Sequence, residues 1–357
     1  MTTALATIVV LGVLIFVHEM GHFLLAKLFG VRVDAFSLGF PPKLLHKQIG
    51  DTDYRISVVP LGGYVKLYGE NPNDEVPPEL EPVSFSHHPL WHRFLIVMAG
   101  PGFNLLFAIL ALFLVFTFSG IPYLTTEVGG VKEGSPAAQV GLQEGDKILS
   151  VAGQKVSRWE ELSQKIRQIG EHPLTLSVQR GDRVLQLRVT PERMETSDIF
   201  GSKVSAIIIG ISAAEQPAVE QVGPVRALVE GVFYTWRITV LTVESLYKLV
   251  TREVPLKSIG GPILIAQVAG KQAKMGLSPL LQFMAALSVN LFLLNLLPIP
   301  ILDGGHLFFF AVEAIRGKPV PIQHREMAQG LGLMLILALM ILVFYQDILR
   351  LVGTQAR

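Results

Sequence analysis

Four stretches of this chain are long and apolar enough to cross a bilayer, and no other feature limits its fold as much. About 20 apolar residues span the hydrocarbon core, and within it only helices and closed barrels satisfy their own backbone polar groups. Residues 4–29 make the first stretch and residues 93–119 the second. The third runs from about 280 to 315 and is broken at Pro298 and Pro300, and the fourth covers 329–350. Only 17% of the chain is charged, against about a quarter in soluble domains. The sequence therefore predicts a polytopic α-helical membrane protein with four transmembrane helices. The first stretch reads as a retained span rather than a cleaved signal peptide. No Lys or Arg precedes it, and its apolar run exceeds the usual limit of about 15 residues.

Lys and Arg near the span ends set the orientation. Lys27, Arg32, Lys43 and Lys47 follow the first span, Arg93 opens the second, and Arg316, Lys318 and Arg325 lie between the third and fourth. Residues 30–92 and 316–328 are thus expected in the cytoplasm, with both termini and residues 120–275 outside. In the cytoplasmic loop, RISVVPLGGYVKLYG alternates around Pro60-Leu61-Gly62-Gly63, as a membrane-associated β-hairpin or paired short strands would. The acidic, Pro-rich ENPNDEVPPELEP after it reads as a mobile linker.

Outside, GGVKEGSPAAQVGLQEGDKILSVAGQKV sets glycines between short strands, SRWEELSQKIRQI is helical, and a hairpin turns at Arg180-Gly181-Asp182. This order, over residues 125–192, resembles a bacterial PDZ domain, an α+β fold inserted once into the chain. Residues 193–275 read as a linker that carries a helix at 223–250. Its Arg226, Glu230, Arg237, Glu244 and Lys248 fall in one stripe about 40° wide. That helix is expected on the membrane surface or against the bundle, the alternative being a water-exposed helix packed on the soluble domain. SIGGPILIAQVAG then leads flexibly into a surface or re-entrant helix.

Inside the first span stands His18-Glu19-Met20-Gly21-His22, an HExxH pattern. Residues four apart share a helix face, so both imidazoles can hold one Zn²⁺, with Glu19 placed to reach a water there. Ionisable groups within a span are costly and mark function, whereas a histidine pair bonded to backbone is the bland alternative. With no cysteine in the chain, thiolate sites and disulfides are excluded, and a metal must rest on His, Asp or Glu. A catalytic zinc takes a third protein ligand. Leu25 and Leu28 occupy the places where the extended HExxHxxGxxH pattern needs Gly and His. Asp34, Asp51, Asp53 and Glu70 lie in Gly- and Pro-rich loops outside the membrane. Asp303 in NLLPIPILDGGH remains, at a depth matching His18 and His22 on the cytoplasmic side of the midplane. Pro298 and Pro300 break the helix there, and Gly304-Gly305 permit close backbone approach.

HEMGH, AGPGFNLL, the PDZ-like segment and NLLPIPILDGG together resemble the site-2 protease family, in particular its bacterial RseP-type intramembrane zinc metalloproteases. The resemblance covers nearly the whole chain. It implies that His18, His22 and Asp303 bind zinc, Glu19 is the catalytic base and Asn295 helps hold substrate. It implies cleavage of single-span membrane proteins in the bacterial inner membrane, such as an anti-sigma factor in regulated intramembrane proteolysis, or remnant signal peptides. Expected partners are those substrates, the lipid bilayer, and a peptide or C-terminus at the PDZ domain. A net charge of +1 gives no pull toward nucleic acid. The sequence departs from the family in showing one PDZ copy where the prototype has two. The usual GFGP is also replaced by Gly39-Phe40-Pro41-Pro42.

The smaller signals stay open at this level. His87, His88 and His92 suit a second metal site or an interfacial belt with Trp91 and Arg93. Asn104 and Asn290 suit interhelical hydrogen bonding or catalysis, and His306 suits the metal's surroundings or packing. A zinc transporter and a PDZ-bearing scaffold are the rival functions. The chain shows no paired internal repeats of the kind transporters carry.

Overall fold

The computed structural model describes residues 2–71, 75–197, 203–254 and 260–355. In chain order the elements are α1 (Thr3–Leu28), β1 (Val33–Ile49), β2 (Thr52–Leu67), α2 (Leu90–Ser119), β3 (Ile121–Tyr123), β4 (Val128–Val131), α3 (Pro136–Gln139), β5 (Lys147–Val151) and β6 (Gln154–Lys155). There follow α4 (Trp159–Ile169), β7 (Leu174–Arg180), β8 (Arg183–Val189), β9 (Glu192–Ser197), β10 (Lys203–Ile208), β11 (Ile211–Ala213) and β12 (Ala218–Glu220). The chain closes with α5 (Pro224–Val250), α6 (Pro262–Met275), α7 (Leu277–Asn295), α8 (Asp303–Arg316) and α9 (Ile322–Gln355). Two compact units result. Residues 1–115, 228–247 and 255–357 form the first, and residues 116–227 with 248–254 the second.

Among the described residues of the first unit, α1, α2, α7 and α9 are long and apolar enough to cross a membrane. The expected third span of about 280–315 divides into two helices, α7 and α8. The reason is local: Pro298 and Pro300 lack an N–H, so residues 296–302 turn back instead of continuing the helix. Leu302 N donates to the Ile299 carbonyl at 2.8 Å within that turn. A Cβ on Gly304 or Gly305 would overlap the carbonyls of Leu297 and Ile299, so only glycine lets α8 start against it.

α1 buries a row spaced by four residues. Ala6, Val10 and Leu14 pack with Ala269 of α6 and Leu280 and Met284 of α7. Further along α1, Phe23 and Ala26 join a second apolar cluster with Val33, Phe36 and Leu67 of the sheet, Ile96 and Val97 of α2, and Leu307 and Phe310 of α8. His18 and His22 continue the same row between these clusters. α6 is seated at two points. Gly270 packs against Thr3 at the start of α1. The buried Asp347 of α9 accepts from the backbone N–H of Gly261, Ile263 and Leu264 at 2.9–3.2 Å. That carboxylate satisfies the unpaired donors at the α6 N-terminus and suits its dipole.

β1 and β2 are longer than the hairpin the sequence predicts, and they fold on themselves. Ala35, Phe36, Ser37 and Leu38 each pair with two stretches of β2, residues 53–56 on one side and 63–66 on the other. Residues 43–49 of β1 pair with 52–57 to close the hairpin. Alternation alone could not reveal this, because residues 35–38 and 53–56 are each paired on both sides. Pro78–Val83, in the linker read as mobile, forms a 3₁₀ turn, and residues 72–74 of that linker lie outside the described residues.

α5 has the length the sequence gives it. A Cβ on Gly231 would stand 3.3 Å from Phe113 N and 3.4 Å from Ile109 O of α2. Thr242 Oγ1 donates to Asn290 Oδ1 of α7 at 2.9 Å. Of the placements left open, these contacts are those of a helix against the bundle. The flexible lead before α6 falls partly on 255–259, outside the described residues.

The second unit is larger than the expected 125–192, because chain read as linker returns to it. β11 pairs with β4 and β12 with β3, while β9 and β10 form their own hairpin. Its main sheet has the order β6-β5-β7-β8, and the β7–β8 hairpin turns at Gly181-Asp182. Leu162 and Ile166 of α4 pack on Ile148, Leu176 and Val178 of that sheet. Arg180 grips the buried Asp146 through two 2.7 Å bonds, and Gln143 N donates to the same carboxylate at 2.9 Å. The Arg180 guanidinium holds the Asp146 carboxyl below the usual carboxylate range.

Candidate metal centre and active site

The site is built where α1, α2, α8 and the sheet meet. His18 and His22, one turn apart, point their Nε2 atoms at one spot, 3.2 Å from each other. Asp303, the first residue of α8, brings Oδ2 to 3.2 Å from His18 Nε2 and Oδ1 to 3.6 Å from His22 Nε2. Among the described residues this is the one group of three or more His, Cys, Asp or Glu able to share an ion. Donors around a tetrahedral zinc, with bonds of about 2.0–2.1 Å, stand about 3.3 Å apart, so this set fits Zn²⁺. Two further observations agree. Asp303 Oδ2 is buried and lacks a hydrogen-bond donor among the described residues. His22 Nδ1 lies 2.8 Å from the Ile96 carbonyl, which can only accept; an Nδ1–H donating there keeps the lone pair on Nε2.

Glycine makes the room. A Cβ on Gly100 of α2 would overlap the His22 ring, and one on Gly21 would overlap the Ala99 backbone. α1 and α2 thus touch nearly backbone to backbone beside the two histidines. Sequence reasoning missed both glycines as parts of the site. Small residues clustered inside an apolar span, as in Ala99-Gly100-Pro101-Gly102, were the available signal of close helix contact.

Glu19 faces the sheet rather than the histidines' partner helix. Val65 N–H donates to its carboxylate, and a Cβ on Gly63 would stand 3.3 Å from Glu19 Cγ. A cleft of about 180 Å³ opens here, lined by His18, Glu19, His22, Tyr64, Asp303 and His306. Glu70, expected in a loop outside the membrane, also lines it. A cavity of that size holds water as well as part of a peptide.

The remaining sequence candidates have other places. Asn104 Nδ2 and Asn295 Nδ2 lie 3.3 and 3.4 Å from His18 Nδ1. Asn290 accepts from Thr242. The His92 ring stacks on Phe29, and His88 Nδ1 lies 3.1 Å from His92 Nδ1, but no third ligand among the described residues makes them a metal group. Arg93 binds Glu313 at 2.5 and 3.3 Å, tying α2 to the helix that carries Asp303.

A family model described as Peptidase family M50 matches residues 6–339. The chain belongs to that family. Similar M50 relatives include a protein of Agrobacterium fabrum named as a zinc metalloprotease, 38% identical over 97% of this chain and 95% of that one. The regulator of sigma-E protease RseP of Salmonella typhimurium is 32% identical over 97% of this chain and 98% of its own length. A solved PDZ domain of the SdrC-like protein of Listeria monocytogenes matches 27% of this chain and 93% of its own, with 24% identity and a TM-score of 0.21. This M50 protein is thus a membrane zinc metalloprotease, as its site-2 protease resemblance implied.

Proposed function

We propose that this M50 protein cuts single-span membrane proteins within or beside their membrane segment, with His18, His22 and Asp303 holding the zinc and Glu19 as the base. The meeting of two imidazole nitrogens and one aspartate within 3.6 Å of one another, beside a glutamate and a water-sized cleft, carries the proposal. Zinc held by these three residues would acidify a water and polarise the scissile carbonyl. Glu19 takes the proton released by the attacking water and returns it to the departing amide nitrogen, so protons balance over the cycle. Anti-sigma factors and remnant signal peptides are the substrate classes that fit.

A membrane helix hides its carbonyls in its own hydrogen bonds, so cleavage needs an extended segment. Residues 63–67 of β2 form an edge that borders the cleft, and substrate adds to that edge as a further strand. Asn295, at the last position of α7, helps hold that segment. The second unit works on the periplasmic side as a PDZ domain, as a peptide site or as a gate that refuses substrates with bulky outer domains. Both termini share that side of the inner membrane, and the metal lies nearer the cytoplasm.

The test uses purified full-length protein and a fluorescent single-span substrate. Wild type should cut it, a chelator should abolish cutting, and zinc should restore it. Glu19→Gln should keep zinc and lose cleavage by about 10²–10⁴-fold. Cleavage by Glu19→Gln at the wild-type rate sinks the assignment, and zinc flux through Glu19→Gln vesicles favours a transporter.

A further inference from the structure

Two carboxamides approach one ring nitrogen of His18, and the metal makes their roles unequal. If His18 gives Nε2 to zinc, its proton sits on Nδ1 and needs an acceptor; a buried N–H without one is costly. His22 meets the same need through the Ile96 carbonyl. At His18 Nδ1 the neighbours are the side-chain amides of Asn104 and Asn295. An amide exchanges its oxygen and nitrogen by a half-turn about χ2, so either could present Oδ1 there.

Their surroundings decide between them. Asn104 is fully buried, and its Oδ1 finds no donor among the described residues. Its own backbone is clamped, because the buried Ser288 of α7 donates to the Asn104 carbonyl at 2.7 Å. Asn295 is only partly buried and ends α7, where the chain turns. We infer that Asn104 is a positioning residue that accepts the His18 Nδ1 proton and aims Nε2 at the metal, leaving Asn295 free for substrate. This rests on the reading of His18 as a zinc ligand. The spacing in α2 completes the device. Gly100 admits the His22 ring, and Asn104, one turn later, receives His18.

The experiment measures zinc affinity of the purified full-length protein by chelator competition, with kcat and KM at saturating zinc, for Asn104→Ala, Asn104→Asp, Asn295→Ala and His18→Ala. Loss of such a supporting partner typically costs about 10–100-fold in metal affinity. Asn104→Ala is expected to lose that much and to lower kcat at unchanged KM. Asn104→Asp, which keeps an acceptor, should restore affinity. Asn295→Ala should keep affinity and raise KM. Wild-type affinity in Asn104→Ala overturns the inference. Should Asn104→Ala unfold, Asn104→Asp decides: low affinity at a wild-type Tm overturns it as well. Wild-type affinity in His18→Ala instead removes the ligand reading beneath it, an outcome distinct from the others.

Discussion

At positions 18 and 22, α1 spends two places of its packing row on imidazoles instead of aliphatic side chains. Ala6, Val10 and Leu14 lead up to them and Ala26 follows, all fully buried. That substitution of chemistry for packing is why the histidines and Glu19 stood out in the sequence: three ionisable groups in a span have no cheap structural explanation. Gly100 left no such mark, since what it contributes is a missing side chain. Gly100→Ala should displace the His22 ring and weaken zinc binding by about tenfold or more. Gly102→Ala, where nothing lies within 4 Å of the added carbon, should bind zinc as wild type does. Chelator competition on the two variants measures the contrast, and equal affinities would remove Gly100 from the site. Asp303 was legible through elimination, depth and the resemblance that NLLPIPILDGG carries, because no local pattern ties it to a helix some 280 residues earlier in the chain.

Among the elements, the sheet is where sequence told least. A strand paired on both sides, such as residues 35–38, carries no alternation that distinguishes it from a hairpin arm. Its edge at 63–67 gives the strand-addition idea a sharper test than the sequence allowed. Val65→Pro removes the N–H that meets Glu19 and breaks the edge, and should cost about a hundredfold in cleavage while zinc affinity holds. Val58→Pro, between the two paired stretches of β2, should cost less. Parallel loss of zinc and cleavage at Val65 would mean the strand merely supports the fold. In the second unit, Asp146 titrates lower folded than unfolded. Its contribution is therefore full above the ordinary aspartate range, near 3.8, and fades as pH falls below it. Amide exchange across 128–189 should quicken by roughly tenfold in Asp146→Asn at neutral pH, with less further change in acid than wild type shows.

Across the whole molecule, the four long apolar helices and the inserted unit were readable because each is long or repeats a local pattern. The unit's true limits were not, since β11 and β12 are three residues each and gain meaning only from distant partners. The lack of any cysteine makes topology testable with single-cysteine variants. Cysteines at Lys47 and Lys318 should react from the cytoplasmic face and one at Arg193 from the other. Labelling of Lys47→Cys and Arg193→Cys from the same face would overturn the assigned orientation. The bond from Asp347 to the start of α6, with Gly270 of α6 against Thr3, has a bearing on how the histidine-bearing helix is backed. α6 lies against α1 and is itself held by a carboxylate of α9, so three helices far apart in the chain share one support. Asp347→Asn should therefore loosen α6 and, through Ala269, the wall behind Ala6 and Val10 of α1.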